Sequence, residues 1–285
     1  MNRITKVAVT LIVAASLSTM VYAVVLNAHA QGPASGAPPQ FTALADRWTK
    51  WILSIDTATE PNPFTHKYTG DCSQLIQGKT MFLVGAAPAG TVDHGTCNVP
   101  SGTSIFYPVI NYVTADCTIN THTTNPPKQA VCSSSGVQTP ALGQPFAEWR
   151  KVPNQFTDSA SSLQSTLDGK PIDFTRVQSP PGGFGVRVTA NNALFGDLTS
   201  LFEGTVPLHA VVDGYWSLLS PPSSGHLTFG GCGIDPILGK ICQTNSYTLV
   251  VRPGSSSSAS ALEGGGDTGS EGGGDTGNGD DDSDR

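Results

Sequence analysis

The chain has 285 residues, 38% hydrophobic and 13% charged, with 32 Gly and 21 Pro. That balance excludes a coiled coil, a helical bundle and a wholly disordered chain. The net charge of −7 sits almost entirely in residues 255–285, and no basic stripe exists elsewhere, so nucleic acid is not an expected partner.

Arg3 and Lys6 precede an apolar run, Val7–Leu26, and Ala28-His29-Ala30 fits a cleavage signal before Gln31. Residues 1–30 therefore read as a secretory signal peptide; a retained anchor is the competing reading, because about 20 apolar residues can span a bilayer. No second apolar span follows, so no membrane span is expected after cleavage, and the location is secreted or cell-surface. Residues 31–40 form a Pro/Gly/Ala linker.

A helix is predicted over 41–55, where Leu44, Trp48, Trp51, Ile52 and Ile55 recur at helical spacing. Thr80–Val84 and Ser104–Val113 read as strands, and 114–143 as a long polar loop. Phe156, Ala160, Leu163 and Leu167 suggest a second helix, stopped at Asp168-Gly169. Residues 41–167 thus form an N-terminal β-rich region with flanking helices.

Residues 168–254 carry six short strand patterns: 172–178, 185–189, 208–212, 215–219, 226–229 and 246–252. Gly/Pro turns separate them, which suggests an immunoglobulin-like β-sandwich. The stretch from Leu218 through Pro221-Pro222 to His226 reads as a hairpin. Residues 255–285, with two Glu-Gly-Gly-Gly-Asp-Thr-Gly copies, read as a disordered acidic tail whose sharper reading is weak calcium binding. The expected fold class is mainly β.

Six cysteines, Cys72, Cys97, Cys117, Cys132, Cys232 and Cys242, form an even set in an exported chain and read as disulfides. They allow many connectivities; sequential pairing is the simplest. No CxxC or CxxH spacing suggests zinc, so no metal site is expected.

The usual hydrolase, metalloprotease and nucleotide-binding motifs are missing. Glu60, Glu148 and Glu203 are the only glutamates in 31–254. His66 with Asp71, and Asp93-His94 in a Gly-rich loop, are weak candidates as ligands. His209 precedes Asp213 by four residues, which on a strand puts both on one face, where they could share a metal or a proton. Asp213-Gly214-Tyr215-Trp216 reads as a tight turn followed by an aromatic pair, one ring buried and one exposed. An exposed ring beside a carboxylate suits a sugar: the ring stacks and the carboxylate bonds hydroxyls. Asp213, Tyr215, Trp216 and His209 are therefore the binding candidates.

Several blocks carry a resemblance: Trp48-Thr-Lys-Trp51, Asn62-Pro-Phe64, Thr69-Gly-Asp-Cys72, Cys97-Asn-Val-Pro-Ser-Gly102, Ile105-Phe-Tyr-Pro-Val-Ile-Asn111, Leu167-Asp-Gly-Lys-Pro-Ile172 and Val212-Asp-Gly-Tyr-Trp216. In that order they resemble an uncharacterised family of exported microbial β-rich proteins, which implies export and architecture but no chemistry. Two function classes follow. One is a non-enzymatic adhesion, envelope or matrix component binding glycan or an extracellular protein surface. The other is an extracellular polysaccharide-active hydrolase or lyase using a carboxylate pair or a His/Asp site.

Overall fold

The structure, a computed structural model, describes residues 36–87, 89–117, 131–134, 136–138, 148 and 150–253. Residues 1–30, His122 and residues 255–285, on which the signal-peptide and tail expectations fall, lie outside the described residues.

Helix α1 (Pro39–Ser54) bears out the expected first helix. Pro39 occupies the first turn, where a missing N–H costs nothing. Ala45, Trp48, Thr49 and Ile52 lie on one buried face with Trp51 and Leu53 at its flanks. The first half then supplies β1 (Tyr68–Gly70), β2 (Ile76–Gln77), β3 (Thr80–Phe82), β4 (Gly90–Pro100), β5 (Ser104–Asp116), β6 (Val131–Ser133) and β7 (Gly136–Gln138). A short helix α2 (Val152–Asp158) leads into β8 (Ser161–Leu167), β9 (Lys170–Pro171), β10 (Thr175–Gln178) and β11 (Phe184–Thr189). A small ribbon of β12 (Asn191–Asn192) and β13 (Gly196–Asp197) precedes three long strands: β14 (Thr205–Leu219), β15 (Gly225–Asp235) and β16 (Gly239–Arg252).

The protein is mainly β, as expected. One sheet has the order β1-β4-β16-β15-β8-β9. The other has the order β10-β14-β5-β3-β2, with β11 also on β14 and the β6–β7 ribbon on β5. The sheets pack face to face: Tyr107 of β5 meets Phe229 of β15 at 4.7 Å between ring centroids. The Tyr107 hydroxyl and Ser165 of β8 share a 2.8 Å hydrogen bond. On the opposite face of the second sheet, Phe106 stacks on Trp216 at 5.1 Å and Trp48 of α1 meets Trp216 edge-on at 5.2 Å. β5 is thus covered on both faces, which is why 105–110 is an unbroken hydrophobic run rather than an alternating one. Pro108 is tolerated in this central strand because the β5–β14 register slips between Tyr215, opposite Ile110, and Trp216, opposite Pro108.

The division drawn at 167/168 does not separate two sheets. β5 lies between β14 and β3, and β4 lies between β16 and β1, so both sheets take strands from both segments around one principal core. Pairings among strands from 161 onward are antiparallel. The three parallel pairings each bring in a strand from 68–116.

Four local expectations are corrected. The second helix is confined to α2, and Ser161–Leu167 is a strand. The reason is that a spacing of four places Leu163 and Leu167 on one face of either element. Asp93-His94 lies within β4 rather than a loop. Asp213-Gly214 is no turn, for β14 runs straight through it; a Cβ at 214 would lie 2.5 Å from the Ile110 carbonyl oxygen, so this glycine serves close strand approach. Leu218 to His226 is not a hairpin either, because β14 and β15 belong to different sheets.

Candidate functional site

The expected site residues divide between two places. Asp213 is fully buried. Its carboxylate accepts hydrogen bonds from Arg176 Nε at 3.0 and 3.2 Å, from Arg176 Nη2, and from Gln178 Nε2 at 3.0 Å. Arg176 Nη1 reaches on to Asp158 at the end of α2, at 2.6 Å. Register explains the meeting: Arg176 and Gln178 on β10 pair with Tyr215 and Asp213 on β14. Burial pushes the Asp213 carboxyl up, while the hydrogen bonds from Arg176 and Gln178 pull it down; Asp213 in turn raises Arg176. The forked guanidinium contact decides for the charged pair. This carboxylate ties β14 to β10 and, through Arg176, to α2, and it has no surface to offer a sugar.

The aromatic pair splits as alternation requires, with Trp216 fully buried and Tyr215 half-buried. Trp216 is sandwiched by Phe106 and Trp48, so its ring is not a stacking platform. Tyr215 therefore lies on the other face, edge-on to Phe174 at 5.8 Å. The two tryptophans of α1 are core residues as well.

His209 does remain at the surface, with Nδ1 3.1 Å from the Gly182 carbonyl oxygen. Asp213, on the same strand face, is held by Arg176 and Gln178, so the two do not form a shared proton or metal site. His209 instead lines an open groove of about 770 Å³ between α1 and the β11–β14 ribbon. Lys50 and Ser54 form the helical wall; Gly185, Val186, Arg187, Pro207 and Leu208 form the rest. Pairing places Gly185 opposite His209 and Arg187 opposite Pro207, so Arg187 and His209 project from the same, solvent-facing side. Lys50 also borders two neighbouring hollows of about 620 and 430 Å³. It carries an exposed ion pair to Asp46 at 2.7 Å. Three basic side chains, Lys50, Arg187 and His209, thus border one groove together with exposed Pro207 and half-buried Leu208, while Val186 is a core residue at its floor. Lys50 and Arg187 escape sequence reasoning because nothing local links a helix to a strand so distant in the chain.

The other candidates stand apart. His66 is exposed and edge-on to Tyr68, and Asp71 caps the Ser73 N–H at 2.9 Å. Glu148 is exposed and paired with Lys151; Glu60 and Glu203 are exposed. His94 is fully buried, stacked on Tyr247 at 4.4 Å, and neither ring nitrogen meets a partner in hydrogen-bonding geometry. Burial lowers its pKa to about 4, against smaller opposing effects of Asn245, Asp93 and the Pro63 backbone. Among the described residues, no three His, Cys, Asp or Glu side chains converge as metal ligands.

The three disulfides are the sequential pairs Cys72–Cys97, Cys117–Cys132 and Cys232–Cys242. Among the described residues no helix is long and apolar enough to cross a membrane. No family model, no curated protein and no solved structure matches the chain.

Proposed function

We propose that the protein is an exported, non-enzymatic β-sandwich component of an extracellular or envelope surface, and that it binds an anionic glycan along the α1–β11 groove. The carrying observation is the groove itself, lined by Lys50, Arg187 and His209 together with exposed Pro207 and half-buried Leu208. A planar guanidinium matches a carboxylate or sulfate in two hydrogen bonds, and an ammonium adds a mobile charge. The exposed Pro207 ring suits the carbon face of a sugar ring. Three disulfides fit an oxidising compartment, and membership of the exported microbial family belongs to the same proposal.

The test is a binding screen of the purified protein against uronate-containing, sulfated and neutral polysaccharides, with and without calcium. Acidic polymers are expected to bind, more weakly as salt rises. Arg187→Glu and Lys50→Glu are each expected to weaken binding roughly tenfold, equivalent to about 1.4 kcal/mol. Undiminished binding by both variants would remove the groove from the account. The exposed His209 in the same groove supports a second reading, a polysaccharide hydrolase or lyase. Release of shortened product, abolished by His209→Ala, would favour it.

A further inference from the structure

The exposed large hydrophobic side chains among the described residues are Ile234, Ile237 and Leu238, at 56%, 40% and 48% exposure. Isolated apolar residues at a surface are ordinary; three at one spot mark a contact. All three belong to the tip of the β15–β16 hairpin, whose strands pair down to Asp235 and Gly239.

This tip is held in place from several directions. Cys232 and Cys242 are directly paired positions of the stem and are joined by a disulfide. The Asp235 carboxylate, buried to 1% exposure, accepts hydrogen bonds from the N–H groups of Ile237 at 2.7 Å and Leu238 at 2.8 Å. The Ile234 N–H donates to Ser159 Oγ, just beyond α2, at 2.7 Å. A tip fixed in this way presents its aliphatic groups without a further cost of ordering the backbone on contact. Its charge is also sorted: the acidic group is turned inward to cap the turn, and Lys240, exposed in the stem, is the cation beside the aliphatic groups. Hydrocarbon at the end of a turn, with the paired Ile234–Lys240 rung one step behind Ile237 and Leu238, matches the layering of a bilayer surface, where acyl chains lie beneath anionic headgroups. Lysine suits that boundary because its stem tolerates hydrocarbon while its ammonium stays wet.

We infer that Ile234, Ile237 and Leu238 form an interfacial anchor that enters the outer layer of an anionic lipid bilayer, with Lys240 meeting the headgroups. The contact is independent of the glycan groove.

The experiment is flotation of the full chain with vesicles of phosphatidylcholine alone and of equimolar phosphatidylcholine and phosphatidylglycerol, at about 0.15 M salt, where charges beyond ~8 Å are screened. The protein is expected to float with the mixed vesicles and less with the neutral ones. Ile237→Asp combined with Leu238→Asp is expected to lower partitioning at least tenfold. Lys240→Glu should lower it on mixed vesicles only. Because these side chains are already exposed, the thermal midpoint of each variant should match the parent; Leu238→Asn provides a milder second variant. Arg187→Glu should float like the parent, which separates failure here from failure of the groove reading. Absence of flotation, or equal flotation of the Asp variants, overturns the inference. So does concentration-dependent self-association that the Asp variants abolish without any vesicle binding, since the tip would then be a protein contact.

Discussion

At the scale of single residues, the most consequential contact is the one Arg176 makes with Asp213. Arg176→Met leaves a fully buried carboxylate unpaired, and breaking a buried pair from one side costs about 3–5 kcal/mol. Chemical denaturation should show that loss, and the double variant with Asp213→Leu should recover much of it. His94 predicts a pH dependence. Its folded pKa of about 4 lies below the ordinary 6.5, so the unfolded chain takes up the proton first. Its contribution is fully present above pH 6.5 and is lost as pH falls toward 4, at up to about 1.4 kcal/mol per pH unit. Replacing His94 with Gln should flatten the stability profile across that window, as measured by denaturation at successive pH values. Neither role was legible in the sequence. The Arg176 partner of Asp213 lies 37 positions away, and an Asp-Gly pair carries the same signal whether it turns or runs straight.

At the scale of elements, periodicity located α1 well because its buried stripe has a clear helical repeat and a proline start. It misplaced β8, since leucines four apart satisfy helix and strand alike and the deciding partner is Phe229 and its neighbours on β15. The long strands were read as short ones for a related reason: β14 and β15 contain glycines that resemble turns in isolation and permit strand approach in the fold. α1 is held to the second sheet chiefly by Trp48, whose indole N–H donates to the Leu83 carbonyl at 2.9 Å while its ring meets Trp216. Trp48→Ala is expected to cost about 3–5 kcal/mol in a denaturant titration, the range for large core truncations. The Cys232–Cys242 staple closes a ten-residue separation. Replacing both cysteines with Ser should cost about 2–3 kcal/mol in the same measurement, a smaller effect because the loop is short.

For the whole molecule, composition and short β patterns were enough to give the class and the sandwich. The placement of strands between sheets was not legible, because pairing partners far apart in sequence leave no local mark. The same holds for the proposed groove, whose basic side chains come from α1, β11 and the adjoining end of β14. The interleaving of early and late strands has a kinetic consequence. β4 finds its partner β16 only after roughly the whole intervening chain is available, and β5 must wait for β14. Such distant pairing places the molecule among slow-folding topologies, with times of milliseconds to seconds or longer. The second sheet cannot close before β14 emerges, nor the first before β16, so most of the polypeptide is synthesised before either sheet is complete.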